Sequence, residues 1–175
     1  PDDYSGALLE LPPKLLSMFV SAFQSFLFNS VLSQRFDDGH LLNEPIVGDR
    51  LIFVNGRSDR VTATNSTAVS LHIRRGRCSI ALFMPGRDPV EAKSEGELAI
   101  VALLEKYAVT AEDFRQASAF VHTKFDGAWR PVALKTDTGF FVEKNDVLLK
   151  FSLPPGHYAT TVCREFMKTD PVQMI

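Results

Sequence analysis

Lys14-Leu15-Leu16-Ser17-Met18-Phe19-Val20-Ser21-Ala22-Phe23-Gln24-Ser25-Phe26-Leu27-Phe28-Asn29-Ser30-Val31-Leu32-Ser33-Gln34-Arg35 carries no charge between its two ends. An uncharged run of about 20 residues has the length of a membrane span. However, Ser17, Ser21, Gln24, Ser25, Asn29, Ser30, Ser33 and Gln34 are too many polar groups for a helix that faces lipid. Leu16, Phe19, Val20, Phe23 and Leu27 recur at helical spacing, and Leu15, Met18, Ala22 and Phe26 form a second apolar stripe beside them. Pro12-Pro13 suits a helix start and Asp37-Asp38-Gly39 a stop. The spacing predicts a helix over 14–35, mostly buried in a soluble domain with no membrane partner. Ser17, Ser21, Gln24 and Ser25 form one narrow polar strip on it.

The chain around this helix has 175 residues, 45% hydrophobic and 23% charged, with 14 Phe. That composition excludes a disordered chain and suits one domain or two small ones. Two cysteines, Cys78 and Cys163, cannot supply a disulfide framework or a zinc site alone, so a reducing, cytoplasmic setting is expected. The chain opens Pro1-Asp2-Asp3, with neither initiator Met nor signal sequence. The expectation is a trimmed protein or a piece of a longer one. Net charge is −2, which by itself argues against a nucleic-acid binder. The sum conceals a block: residues 50–87 hold Arg50, Arg57, Arg60, Arg74, Arg75, Arg77 and Arg87 against Asp59 alone, +6 in that stretch and −8 in the rest.

The remaining elements follow from period and punctuation. Strands are expected at 51–54 and 61–64, joined through Asn55-Gly56. A helix is expected at 66–75, capped at Asn65-Ser66-Thr67, and a strand at 79–83 ended by Pro85-Gly86. Ser94-Glu95-Gly96-Glu97 resembles a capping box for a helix to Tyr107, and Thr110-Ala111-Glu112-Asp113 starts another short helix. The stretch 118–129 reads as irregular. Strands follow at 131–135, 139–142 and 147–153, the last with Val147, Leu149, Phe151 and Leu153 on one face. Pro154-Pro155-Gly156 makes a sharp turn into a helix over 158–168, with Pro171 just beyond.

The usual catalytic signatures are absent. There is no phosphate loop, no dinucleotide fingerprint and no serine elbow. His40, His72, His122 and His157 are scattered without metal-ligand spacing, so no metal site is expected from them. Cys78 reads as a small buried hydrophobe, and Asn65-Ser66-Thr67 as a helix cap, not a glycosylation sequon. The arginine block reads either as a solvated surface or as a phosphate contact surface. Arg without Lys suits bidentate phosphate contacts and leans toward nucleic acid. The turn before Tyr158 reads either as an ordinary strand–turn–helix or as an anion site with an aromatic able to stack on a base.

Two segments carry more than pattern. Phe19-Val20-Ser21-Ala22-Phe23-Gln24-Ser25-Phe26-Leu27-Phe28-Asn29, with Arg35 following, resembles a signature helix of the tRNA pseudouridine synthase D (TruD) family. Phe151-Ser152-Leu153-Pro154-Pro155-Gly156-His157-Tyr158-Ala159-Thr160-Thr161-Val162, then Arg164-Glu165, resembles that family's C-terminal motif. Between them, Pro45 to Asp49 is similar to the family's entry into an inserted domain, and Arg130-Pro131 to the return. The resemblance runs from about Lys14 to Thr169.

The resemblance implies an α+β fold: part of a pseudouridine-synthase catalytic domain, helix plus antiparallel strands, in 1–46 and 128–175, with a small inserted α/β domain at 47–127. It implies isomerisation of a tRNA uridine to pseudouridine without cofactor or metal: the glycosidic bond breaks, the uracil turns, and it rejoins through carbon 5. The family's nucleophilic Asp follows a Lys in a Gly-x-Lys-Asp motif, and no Lys-Asp dipeptide occurs here; an Asn-Tyr-Phe-Gly motif is missing too. The nucleophile is therefore expected in an N-terminal half outside this chain, and Asp2, Asp3, Asp37 and Asp38 do not take its place. Tyr158 is implied to stack on the target base, and Gln24, Ser25 and Asn29 to face the cleft. Arg50, Arg57, Arg60, Arg74, Arg75, Arg77 and Arg87 are implied to grip tRNA. Arg164 and Glu165 are expected to form a structural ion pair or a pocket wall, not catalytic groups. The rival is a non-catalytic RNA-binding module.

Overall fold

The computed structural model describes residues 3–144, 146–154 and 157–168. They fall into two compact units, Pro1–Ala133 and Leu134–Ile175. The first unit contains α1 (Tyr4–Leu9), α2 (Pro13–Asp37), β1 (Arg50–Phe53), β2 (Ser58–Arg60), α3 (Ser66–Arg74), β3 (Cys78–Met84), α4 (Glu95–Lys106), α5 (Ala111–Val121) and β4 (Ala128–Pro131). The second contains β5 (Thr138–Glu143), β6 (Asp146–Phe151) and α6 (Ala159–Met167).

The first unit is an antiparallel sheet of order β2-β1-β3-β4 with helices on one face. Strand alternation explains why only one face is covered. Leu51 pairs with Ile80, and both are fully buried, as is Leu82 two residues on. They meet Leu27, Phe28 and Val31 of α2, Val69 of α3 and Ile100 of α4 in one core. Arg50, Phe83 and Trp129 project to the opposite face. A smaller cluster joins Leu16 of α2 to Phe114, Val121 and Phe125.

α2 spans the expected range but is buried far less than expected: only Leu16, Gln24, Leu27, Phe28, Val31 and Arg35 are inaccessible. Met18, Phe19 and Phe26 of its apolar stripes are exposed. A single sheet covers one side of a helix; of the second stripe, Phe26 meets the rings of Phe23 and Tyr107 at 6.3 and 5.6 Å while Met18 stays exposed. The helix is long and apolar enough to cross a membrane; here its buried side packs on β3, α4 and α5.

The hairpin is tighter than expected. Gly56 N–H donates to Phe53 O and Phe53 N–H to Arg57 O, with Gly56 at φ 81°. This is a three-residue loop with glycine in the left-handed position, and it brings β2 forward to 58–60 instead of 61–64. Residues 62–65 fold into a turn in which Asn65 Oδ1 accepts from Thr62 N–H. Asn65 therefore does not cap α3 with its side chain. α5 runs on to Val121, so only 122–127 is irregular, and β4 lies three residues before the expected strand at 131–135. β5 and β6 pair antiparallel from Thr138↔Phe151 to Glu143↔Asp146, and α6 starts at Ala159. The expected turn at Pro155-Gly156 and the stop at Pro171 lie outside the described residues.

The compact units cut across the expected division into 1–46 with 128–175 and 47–127. β4 hydrogen-bonds to β3, and α2 packs on the same sheet, so the stretch expected as an insertion shares a core with both flanks. Compactness and insertion are different properties, and the insertion at 47–127 is carried forward as a proposal.

Candidate RNA-binding surface and base pocket

Gln24, Ser25 and Asn29 do not share one environment. Gln24 is buried, and its Nε2 donates to Pro85 O at 2.7 Å, locking α2 onto the end of β3. A buried carboxamide bonded to a backbone carbonyl is a structural tie. At Gly86 the chain passes so close to Phe125 O and Gly127 N that a Cβ would lie 2.3 and 2.4 Å from them, which is why glycine follows Pro85. Ser25 is half-buried, and Asn29, one turn further along the same face, is exposed. Ser17, the start of the expected strip, bonds to Pro13 O and Thr123 Oγ1.

Tyr158 belongs to the second unit, where it stands immediately before α6 with 71% of its surface exposed. Its side chain makes no capping hydrogen bond, and the exposure leaves most of the ring accessible. His157 Nδ1 lies 3.2 Å from Pro154 O. Glu165 pairs with Lys168 at 2.6 Å, not with Arg164. That hydrogen bond and the ammonium charge hold the Glu165 carboxyl below its ordinary range.

The seven arginines separate into three groups. Arg60 and Arg87 are held internally. Arg60 Nη2 is 2.9 Å from Glu97 Oε1, and Glu97 is itself buried; Arg87 Nε donates to Asp126 Oδ1 at 2.7 Å. Arg50 lies over the ring of Trp129. Arg57, Arg74, Arg75 and Arg77 are exposed. Among the described residues, Arg74, Arg75 and Arg77 have no ion pair, and Arg57 has only Asp59 at 4.0 Å. These four cluster because the turn after α3 hydrogen-bonds to the β1–β2 loop, Val54 N–H donating to Arg77 O at 3.1 Å. Unpaired guanidinium groups at a loop-built end of the unit can engage phosphate oxygens without first breaking a salt bridge.

Sequence reasoning missed three features. Arg35 and Asp49 form a buried bidentate pair, Nη1 to Oδ1 at 3.0 Å and Nη2 to Oδ2 at 2.9 Å, and Arg35 Nη2 also donates to Glu44 O. Glu97 was legible only as a cap partner. Ser94 Oγ does accept from Glu97 N–H, but the Glu97 carboxylate bonds Lys93 N–H and Arg60 instead of closing the box. Trp129, the only Trp of the chain, forms a cross-strand pair with Phe83 and sits beside two guanidinium groups. A lone Trp beside Arg130-Pro131 was the available signal. Among the described residues no three His, Cys, Asp or Glu side chains gather as a metal site.

The family model for tRNA pseudouridine synthase D (TruD) matches residues 1–166. A Methanosarcina acetivorans protein described as a probable tRNA pseudouridine synthase D is 35% identical over 99% of this chain and 42% of its own length. One from Natronomonas pharaonis with the same description is 38% identical over 90% of this chain and 37% of its own length. The crystal structure of a Methanosarcina mazei protein carried under that family name superposes with a TM-score of 0.76 at 30% identity, over 99% of this chain and 43% of that one. The chain thus spans about two fifths of the length of the curated relatives it matches.

Proposed function

Because the chain belongs to the tRNA pseudouridine synthase D family, we propose that it is the C-terminal part of an enzyme isomerising uridine to pseudouridine in tRNA. The observation that carries the reading is the match of fold and sequence along nearly the whole chain. The nucleophilic Asp lies in the N-terminal half, so this chain alone is inactive. Product and substrate are isomers, so no co-reactant or cofactor enters the balance. We place the enzyme in the cytoplasm.

The residues here bind and orient. Tyr158 offers an open ring on which the extruded uracil stacks, a need of any enzyme that works on a base it must remove from its stack. Asn29 and Ser25 remain available to the cleft, whereas Gln24 contributes by fixing α2. Arg57, Arg74, Arg75 and Arg77 hold the phosphate backbone, and 47–127 is the inserted domain that carries them. The test is turnover by the full-length enzyme. Tyr158→Ala lowers the rate far more than Tyr158→Phe, because stacking needs the ring and not the hydroxyl. Equal losses in the two variants would move the role to the hydroxyl.

A further inference from the structure

The open face of the β2-β1-β3-β4 sheet carries a pocket to which the proposed function gives no task. A cavity of about 310 Å³ opens there, at the small end of the ~300–1,000 Å³ typical of ligand sites. Its wall is Trp129, with the Phe83 ring 5.3 Å away across the strand pair. The guanidinium carbons of Arg50 and Arg60 lie 5.5 and 6.0 Å from the Trp129 ring centre.

The two arginines are held differently. Arg60 is fixed by the buried Glu97 carboxylate and by Gly48 O at 2.8 Å. Among the described residues the Arg50 side chain makes one hydrogen bond, from Nη2 to Ser58 Oγ at 2.7 Å, and its buried Nε–H has no protein acceptor. The Arg50 guanidinium is therefore less fully engaged than that of Arg60 and keeps N–H donors for an acceptor on whatever enters. The charges of the pocket select among ligands. Arg60 is matched by Glu97, Lys93 by Glu91, and Asp88 on the rim offsets Arg50. A pocket with no surplus charge favours an uncharged aromatic ring over a phosphate.

We propose that this pocket is a nucleobase slot, in which an unstacked base of the RNA packs against Trp129 and accepts a hydrogen bond from the Arg50 guanidinium. The inference rests on the reading of the protein as an RNA-modifying enzyme. Aromatic side chains on an open sheet face stacking single-stranded bases, and arginine donors reading base acceptors, are both established modes of recognition. The slot holds a flanking base, not the reacting one.

The test measures tRNA affinity of the full-length enzyme across a salt series. Trp129→Ala weakens binding by roughly 5- to 150-fold, the range for losing one base stack, and Trp129→Phe recovers most of it. Arg50→Met weakens binding with the salt slope unchanged, because Arg50 neutralises no phosphate. Melting temperatures of the variants show whether they remain folded, and Arg50→Met keeps the test open if Trp129→Ala is not. Affinities within twofold of wild type for both Trp129→Ala and Arg50→Met overturn the slot. So does a slope that falls by about 0.7–0.9 in Arg50→Met, the signature of one phosphate no longer neutralised. A wild-type enzyme that makes no pseudouridine, yet loses tRNA affinity on Trp129→Ala, removes the synthase reading and leaves the slot standing.

Discussion

Arg35 closes the uncharged run that organises this chain, and its guanidinium is spent on Asp49 inside the fold. Both side chains are buried, so removing one leaves the other as an uncompensated charge. Asp49→Ala should cost about 3–5 kcal/mol of stability, measured by denaturant unfolding. Gln24→Leu leaves the buried Pro85 carbonyl without its donor and should cost about 1–3 kcal/mol by the same measurement. Neither role was visible in the sequence. The Arg35 partner lies 14 residues on, across an irregular connector, where spacing carries no information. Helical periodicity likewise cannot tell a polar side chain bonded to a buried carbonyl from one facing a cleft, and Gln24 is the first kind.

At the scale of elements, some local chemistry was legible, such as the helix start at Thr110, and some was not, since Asn65 caps no helix with its side chain. Thr110-Ala111-Glu112-Asp113, expected only as a helix start, forms a capping box: Thr110 N–H donates to Asp113 Oδ2 at 2.8 Å, and Asp113 N–H to Thr110 Oγ1 at 3.4 Å. The Thr110 hydroxyl hydrogen bond, followed by that from its backbone N–H, holds the Asp113 carboxyl below its ordinary range. The folded pKa is thus lower than the unfolded value of about 3.9. The contribution is fully present above the unfolded value and is lost as pH falls through the folded one. Thr110→Ala should cost about 1 kcal/mol at neutral pH, and the gap between variant and wild type should narrow in acid-unfolding curves below about pH 4. The similar sequence at Ser94 gives half a box because a distant cation, Arg60, takes the Glu97 carboxylate. Gly56 is a local case again. A Cβ there meets nothing, yet φ is 81°, so Gly56→Ala should cost about 1–2 kcal/mol by thermal unfolding.

For the whole molecule, the net charge of −2 hid the feature of most use. The arginine block could be counted in the sequence, but not divided. Ion pairs to Glu97 and Asp126 engage Arg60 and Arg87 within the fold, while Arg57, Arg74, Arg75 and Arg77 gather at one end of the first unit. Alanine at each of these four should weaken tRNA binding and reduce the log–log salt slope by about 0.7–0.9 for each phosphate no longer neutralised. A slope unchanged in the fourfold variant would return this cluster to the solvated surface. The fold class was readable because helix and strand periods survive in short windows. The compact units were not, since they depend on β3 pairing with β4 across the whole of α4 and α5. The second unit exposes Phe140, Phe141, Val142, Val147 and Leu148 on a two-stranded hairpin, which is marginal on its own.

The central claim is that these residues complete a tRNA pseudouridine synthase whose nucleophile is carried elsewhere in the full protein. The most direct measurement is pseudouridine content of an unmodified tRNA transcript after incubation with the full-length protein, beside the same transcript incubated with this 175-residue chain. The account predicts pseudouridine at a defined position with the full-length protein and none with the chain alone. Pseudouridine made by the chain alone, or none made by the full-length protein, would contradict it.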